Sequence, residues 1–149
     1  MGFKKNGLLC LIAAAMLLLP FSISSAADTG GQIIANIEQI LKANPVPEGK
    51  KLQIINLAQD DAATYNIVRL REGSAIKPHI HKTHTEFVCV IKGKGQLVVN
   101  EKQVSVGPGS VHFNPVGKIH GLKNVDKAEL VILSIFTPAM KVRDLQFIQ

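Results

Sequence analysis

The chain has 149 residues, with 17 Lys and Arg against 11 Asp and Glu, no Trp and one Tyr. A length of this order fits one domain with a real core. The net charge of +6 is scattered along the chain rather than gathered in blocks, which excludes a nucleic-acid-binding stripe, and the scarcity of Tyr and Trp leaves few platforms for stacking on sugar rings.

The chain opens "MGFKKNGLLCLIAAAMLLLPFSISSAADTG". Lys4 and Lys5 precede an apolar run from Gly7 to Phe21, and small residues from Ser24 to Ala27 follow. This is the layout of a secretory signal peptide over 1–27, cut after Ala27. The run is about 15 residues and Pro20 interrupts it, whereas a spanning helix needs about 20. A retained membrane anchor is therefore disfavoured, and a periplasmic or secreted location is expected. Cleavage removes two of the 17 basic residues, leaving 15 against 11 acidic ones, or +4. It also removes Cys10, so Cys89 stands alone in "FVCVI" and no intrachain disulfide is available. A buried, inert thiol is expected there.

Residues 28–50 form a helix and linker. Ile33, Ile34, Ile37, Ile40 and Leu41 recur at helical spacing, predicting one amphipathic helix over 31–43 that stops before Pro45 and Pro47. From residue 51 to 149 the character changes. "LQIINL", "TYNIVRLR", "EFVCVIKG", "GQLVVN", "KQVSVG", "SVHFNP", "KIHGLKN" and "ELVILSIF" are short runs rich in β-branched residues. Gly, Pro, Asn and Asp punctuate them, and "VNEKQV" reads as a tight hairpin. Such a series predicts an all-β sandwich or barrel. "ELVILSIF" is apolar at nearly every position, so both of its faces should be covered.

Three of the chain's five histidines and one glutamate fall within "HIHKTHTE", residues 79–86. His79 and His81 are two apart on an extended segment, so both rings point to one face. Glu86 opens the next strand after a short turn, and its carboxylate can return to the same spot. His120 follows a second turn, "NPVGKIHG". Neutral imidazoles with one carboxylate and no thiolate suit a first-row divalent metal.

From Gly73 to Gly93 the sequence reads G, five residues, H-x-H, four residues, E, six residues, G. From Gly109 to Asn124 it reads G, five residues, P-x-G, two residues, H, three residues, N. The chain resembles the cupin superfamily in both of that family's motifs, over roughly residues 51–138. The resemblance implies an antiparallel jelly-roll β-barrel of six to eight strands with the metal inside one end. It implies His79, His81, Glu86 and His120 as ligands to one divalent transition metal: Fe, Mn, Zn or Ni. Gly73, Gly93, Gly109, Pro115, Gly117 and Asn124 become turn and scaffold positions. The fold is specific but the reaction is not, because one fold hosts many chemistries.

Other residues are candidates for chemistry. If the strand after "KTHT" begins at His84, that ring shares parity with Glu86 and is a proton shuttle or alternative ligand; otherwise it is an exposed turn residue. Tyr65 and Arg69 share parity on one run and are candidates for catalysis and for holding an anionic substrate, against the alternative of a solvent-facing pair. Val111 and Phe113 are expected to face the barrel, which puts His112 outside. Phe87, Val88, Val90 and Ile91 are expected in the core.

Two functions follow. One is an exported metal-dependent enzyme of dioxygenase, isomerase or lyase type acting on a small oxyanion-bearing substrate, with open coordination positions on the metal. The other is a non-catalytic periplasmic module that binds a metal or small ligand. Either way the partner is a small molecule, with no nucleic acid and no membrane anchor after cleavage. Sheet edges and apolar outer faces predict a homodimer.

Overall fold

The computed structural model describes residues 35–148. The expected signal peptide, and Ile33 and Ile34 of the expected helix, lie outside these residues. The helix α1 spans Ile37–Ala43, starting later than the spacing predicted. Its start is set by capping: Asn36 is extended and its Oδ1 accepts from the backbone N–H of Gln39 at 3.2 Å. At the other end the Asn44 side chain donates to the Ile40 carbonyl at 2.9 Å, one residue before Pro45.

Ten strands follow among the described residues: β1 Leu52–Gln59, β2 Thr64–Leu70, β3 Ala75–His81, β4 Thr85–Lys92, β5 Gly95–Val99, β6 Lys102–Val106, β7 Val111–Asn114, β8 His120–Asn124, β9 Leu130–Thr137 and β10 Leu145–Phe147. They form two antiparallel five-stranded sheets, ordered β1-β2-β9-β4-β7 and β10-β3-β8-β5-β6. Each run singled out in the sequence falls on a strand. Two strands carry none of these runs: β3, marked only as the extended segment of His79 and His81, and β10, three residues long and too short to show a period. "VNEKQV" is the β5–β6 hairpin, with Val99 opposite Lys102. Asn100 and Glu101 both take positive φ, 44° and 70°, as the tightest hairpin turn requires.

The two sheets share one core. Val68, Leu70, Val88, Val90, Leu130 and Ile132 from the first meet Leu97 and Leu122 from the second. Outside the first sheet lies a smaller cluster of Leu41, Ile67 and Val131, with Ile37, Ile55 and Leu133 packed on it. Strand β9 is central and therefore covered twice, by the shared core and by α1, which explains an apolar run broken only by Ser134 between Leu130 and Phe136. On β4, Val88 and Val90 are buried as expected. Phe87 is instead 38% exposed and Cys89 half-buried, because alternation along the strand turns both outward.

Turn chemistry holds the sheets in register. Gly93 has φ +81°, and a Cβ there would stand 2.4 Å from the Glu129 carbonyl oxygen, so only glycine fits. Asn124 is wholly buried. Its side chain donates to the carbonyls of Leu70 and Ala128 at 2.9 and 2.8 Å, and accepts from the Asp126 N–H at 2.9 Å. It thus ties β8 to the end of β2 and to the turn into β9. Removing it strands buried backbone groups without partners. Asn124→Ala is expected to lower unfolding free energy by about 2–4 kcal/mol, two or three lost bonds at 1–3 kcal/mol each with partial relaxation. Urea denaturation checks this, and a loss under about 1 kcal/mol would contradict the role.

Candidate metal centre

Pairing brings the motif residues together. His79 on β3 lies directly opposite His120 on β8, and Glu86 on β4 lies between Asn114 on β7 and Phe136 on β9. A bulge sets the inward face of β3. Ile76 lines the interior, and so do His79 and His81, although Ile76 differs from them in parity. The register shift between Ile76 and His79 reverses the alternation, and Pro78, which has no N–H to give a ladder, sits within it.

His79, His81, Glu86 and His120 are all buried, and one potential ligand atom from each lies within 4.8 Å of the others. Each ring is fixed from behind. His79 Nδ1 faces the Lys77 carbonyl at 2.8 Å, His120 Nδ1 faces the Lys118 carbonyl at 2.9 Å, and His81 Nδ1 faces Asp144 Oδ1 at 2.8 Å. An oxygen acceptor at Nδ1 places the proton there and leaves the Nε2 lone pair aimed inward. His81 Nε2 is buried and has no hydrogen-bond partner among the described residues. His120 Nε2 lies 3.1 Å from Glu86 Oε2. Two such atoms at that spacing either share a proton or face one cation. The donor set, its tautomers and the orphaned Nε2 fit a divalent metal.

Electrostatics agree with that fit. Burial alone would raise the Glu86 carboxyl. Without a cation, a proton shared with His120 Nε2 and the hydrogen bond from Ser134, with the nearby imidazoles, outweigh it and hold the group below the usual carboxylate range. The Ser134 hydroxyl donates at 2.6 Å and the Asn114 amide at 3.3 Å. Burial likewise would raise Asp144, but hydrogen bonds from His84, His81 and Thr83 together pull it well below its ordinary value. Both carboxylates are therefore charged at neutral pH.

The group sits at one end of a cavity of about 140 Å³ between the sheets. Its walls are largely apolar, with Val68, Val88, Val90, Leu97, Leu122 and Ile132 among them. Among the polar residues of the lining that the sequence did not place there are His112 and Arg143. His112 faces inward, while Val111 and Phe113 are 63% and 58% exposed; the sequence expectation had this strand reversed. The alternation of apolar and polar positions gave no sign of which face was covered, and β7 is an edge strand whose outer face stays open. His112 Nε2 is buried without a partner among the described residues, and burial lowers the pKa of the ring. Arg143, exposed on the segment before β10, lines the cavity as well. Nothing in its local sequence marked it.

The remaining candidates lie elsewhere. Tyr65 and Arg69 do share parity, but with Ile67 of the outer cluster, so they face away from the cavity. Arg69 forms a bidentate pair with Glu129, 2.8–3.1 Å, and donates to the carbonyls of Leu41 (2.8 Å) and Asn44. It fastens the C-terminus of α1 to the sheet and does not reach the cavity. His84 is buried rather than an exposed turn residue, yet β4 starts after it, at Thr85. Its Nδ1 faces Asp144 Oδ2 at 2.9 Å and its Nε2 the Ala139 carbonyl at 3.4 Å, so both nitrogens point away from the four-residue group.

Comparison with known proteins gives the same picture. A family model described as the cupin domain matches residues 66–136. A protein of Aquifex aeolicus (strain VF5) is 27% identical over 113 residues, covering 74% of this chain and 88% of the relative. A solved structure from Thermus thermophilus superposes with TM-score 0.63 at 23% identity, covering 71% of this chain and 97% of that one. A structure described as a sugar phosphate isomerase from a cupin superfamily, of Silicibacter pomeroyi, superposes with TM-score 0.52 at 26% identity. The latter match covers 58% of this chain and 59% of the isomerase chain, so it spans little more than half of that protein. Both motifs, the paired antiparallel sheets and the family match identify residues 66–136 as a cupin domain.

Proposed function

We propose that the protein is an exported metal-dependent enzyme acting on a small oxyanion-bearing molecule, of dioxygenase, isomerase or lyase type. The observation that carries this reading is the set of three inward Nε2 atoms and one charged carboxylate at the end of a largely apolar cavity. His79, His81, His120 and Glu86 would hold one ion, Fe, Mn, Zn or Ni. A bound ion would supply Lewis-acid chemistry, or redox chemistry if it is iron. The cavity volume resembles one known to take a ring of roughly six heavy atoms. Its apolar walls exclude water from the reacting end.

Residues beyond the ligands favour an enzyme over a carrier. The Asn114 amide donates toward His112 Nδ1 at 3.5 Å, which puts the proton of the neutral ring on the unpartnered Nε2 of this cavity-lining residue, where it can be held or given up. Arg143 offers a guanidinium at the cavity edge to an anionic group of the ligand, the role that the sequence had suggested for Arg69. The isomerase neighbour, whose description names a phosphate-bearing substrate, is consistent with an oxyanion ligand. A non-catalytic binder would need the ligands but not His112.

Bound metal is expected at one ion per chain. His81→Ala and His120→Ala should each lose most of it, because an incomplete shell leaves the ion poorly held. Elemental analysis of the folded variants measures this, and full stoichiometry in both would remove the assignment. If the site fills outside the cytoplasm, zinc and nickel should compete well with iron and manganese for it.

The metal-free protein should lose stability in mild acid. Burial, opposed by the hydrogen bond to the Lys77 carbonyl, lowers the His79 pKa from 6.5 to about 4. The unfolded chain therefore takes up this proton near pH 6.5, and the folded chain only near 4. Between those values the unfolded state binds more protons, so stability complete above pH 6.5 declines as pH falls toward 4. The decline from this one ring is on the order of 3 kcal/mol. Urea unfolding of chelator-treated protein across pH 7.5 to 4.5 reads it, and an unchanged free energy over that range would contradict it.

The protein is also proposed to be a homodimer. Phe87 and Phe113 are cross-strand neighbours on the outer face of β4 and β7, and with Val111 they leave an apolar strip uncovered at a sheet edge. Light scattering should report twice the chain mass. A monomer over a wide concentration range would overturn this.

A further inference from the structure

The three histidines of the centre are not held alike. His79 and His120 each use the backbone carbonyl two residues before them, so their orientation is a local property of their own strands. His81 instead uses a side chain 63 positions away, Asp144. That residue lies where the C-terminal segment returns to the second sheet. From there β10 pairs with β3, placing Leu145 opposite His81 and Phe147 opposite His79, and the Ile148 N–H donates to the Pro78 carbonyl at 3.1 Å. The C-terminal arm therefore runs along the strand that carries two of the four ligands.

We propose that Asp144 is a positioning residue of the metal centre, fixing the tautomer and ring orientation of His81 and so making the C-terminal arm a working part of the site. The inference rests on reading the four-residue group as a metal centre. The geometry is divided between the two carboxylate oxygens. Oδ1 accepts from His81 Nδ1 at 2.8 Å. Oδ2 accepts from the Thr83 N–H at 2.9 Å, the Thr83 hydroxyl at 2.8 Å and His84 Nδ1 at 2.9 Å. The second oxygen thus clamps the β3–β4 turn, and the clamp aims the first oxygen at His81. A carboxylate behind an imidazole also makes its other nitrogen a stronger donor to a cation than a backbone carbonyl does. His84 finds its place here: it is a brace of Asp144, with its other nitrogen 3.4 Å from the Ala139 carbonyl.

The arrangement explains why a buried His81 Nε2 can stay without a partner. With Nδ1 committed to Asp144, only the bare lone pair is left to face the group. Without Asp144, the proton is free to move to Nε2, where it would block a cation. An amide in place of the carboxylate cannot satisfy all four donors, because its nitrogen is itself a donor.

The test uses the full mature chain with Zn²⁺ as probe and a competing chelator as reference. Asp144→Asn and Asp144→Ala are expected to weaken Zn²⁺ binding by about 10- to 100-fold, the range for loss of a group behind a ligand imidazole. Thr83→Val removes one bond to the same carboxylate without touching His81, and should change affinity by less than about threefold. A separate readout needs no metal. ¹⁵N NMR of the metal-free protein should show His81 protonated at Nδ1 in the wild type and shifted toward Nε2 in Asp144→Ala. Wild-type affinity and an unchanged tautomer in Asp144→Ala would overturn the proposal. So would a loss in Thr83→Val as large as in Asp144→Asn, which would make the carboxylate a loop clamp only. If Asp144→Ala does not fold, the isosteric Asp144→Asn decides the question. If the wild type binds no Zn²⁺, the metal reading fails, while the tautomer still tells whether Asp144 governs His81.

Discussion

Four buried polar side chains within 4.8 Å of one another are the constraint around which this chain is arranged. A charged carboxylate such as Glu86 cannot sit in a protein interior unless other groups solvate it. The fold supplies them from two strands, the Ser134 hydroxyl from β9 and the Asn114 amide from β7, and His120 on β8 faces the carboxylate across a shared proton or a cation. The opposing imidazoles would repel one another if charged, so burial keeps His79 neutral and ready to donate a lone pair. The two sheets, the bulge beside Pro78 and the arm that carries Asp144 all serve to hold those few atoms at one place.

The division of labour is spatial. Between the sheets lie the polar group and the apolar cavity. Outside the first sheet lies α1, pinned by Arg69 and Glu129 and packed through Leu41 on Ile67 and Val131. The pinning is an ion pair combined with two carbonyl contacts at a helix C-terminus, where a cation is favoured. Arg69 therefore contributes to stability, and Arg143 is the one of the two that lines the cavity, where the proposed anionic ligand would meet it. The two arginines differ in what surrounds them rather than in chemistry. One has its donors committed to Glu129 and to backbone, and the other lies exposed along the cavity wall.

Much of this was legible in the sequence because it is written in short-range spacing. The two-residue interval of His79 and His81, the return to Glu86 and the glycines and proline at the turns are local features, and they give both the fold class and the four-residue group. What was not legible depends on which side of a strand is covered. On β7 an apolar–polar–apolar triplet predicts the wrong face, since the apolar pair is the exposed one and the half-buried His112 the inward one. On β2 the parity shared by Tyr65 and Arg69 is real, but parity cannot tell the cavity side from the helix side. Asp144 and Arg143 lie in a stretch without periodicity, and their importance comes from β10 pairing with a strand more than 60 residues earlier. A contact of that separation leaves no mark in a single sequence.

The central claim is that the Nε2 atoms of His79, His81 and His120 and a carboxylate oxygen of Glu86 share one cation. The most direct measurement is anomalous X-ray diffraction from crystals of the protein grown with Zn²⁺. The account predicts one anomalous peak per chain at the end of the cavity, about 2.0–2.2 Å from each of those four atoms. A peak at another place, or one bound through Nδ1 of any of the three rings, would contradict it.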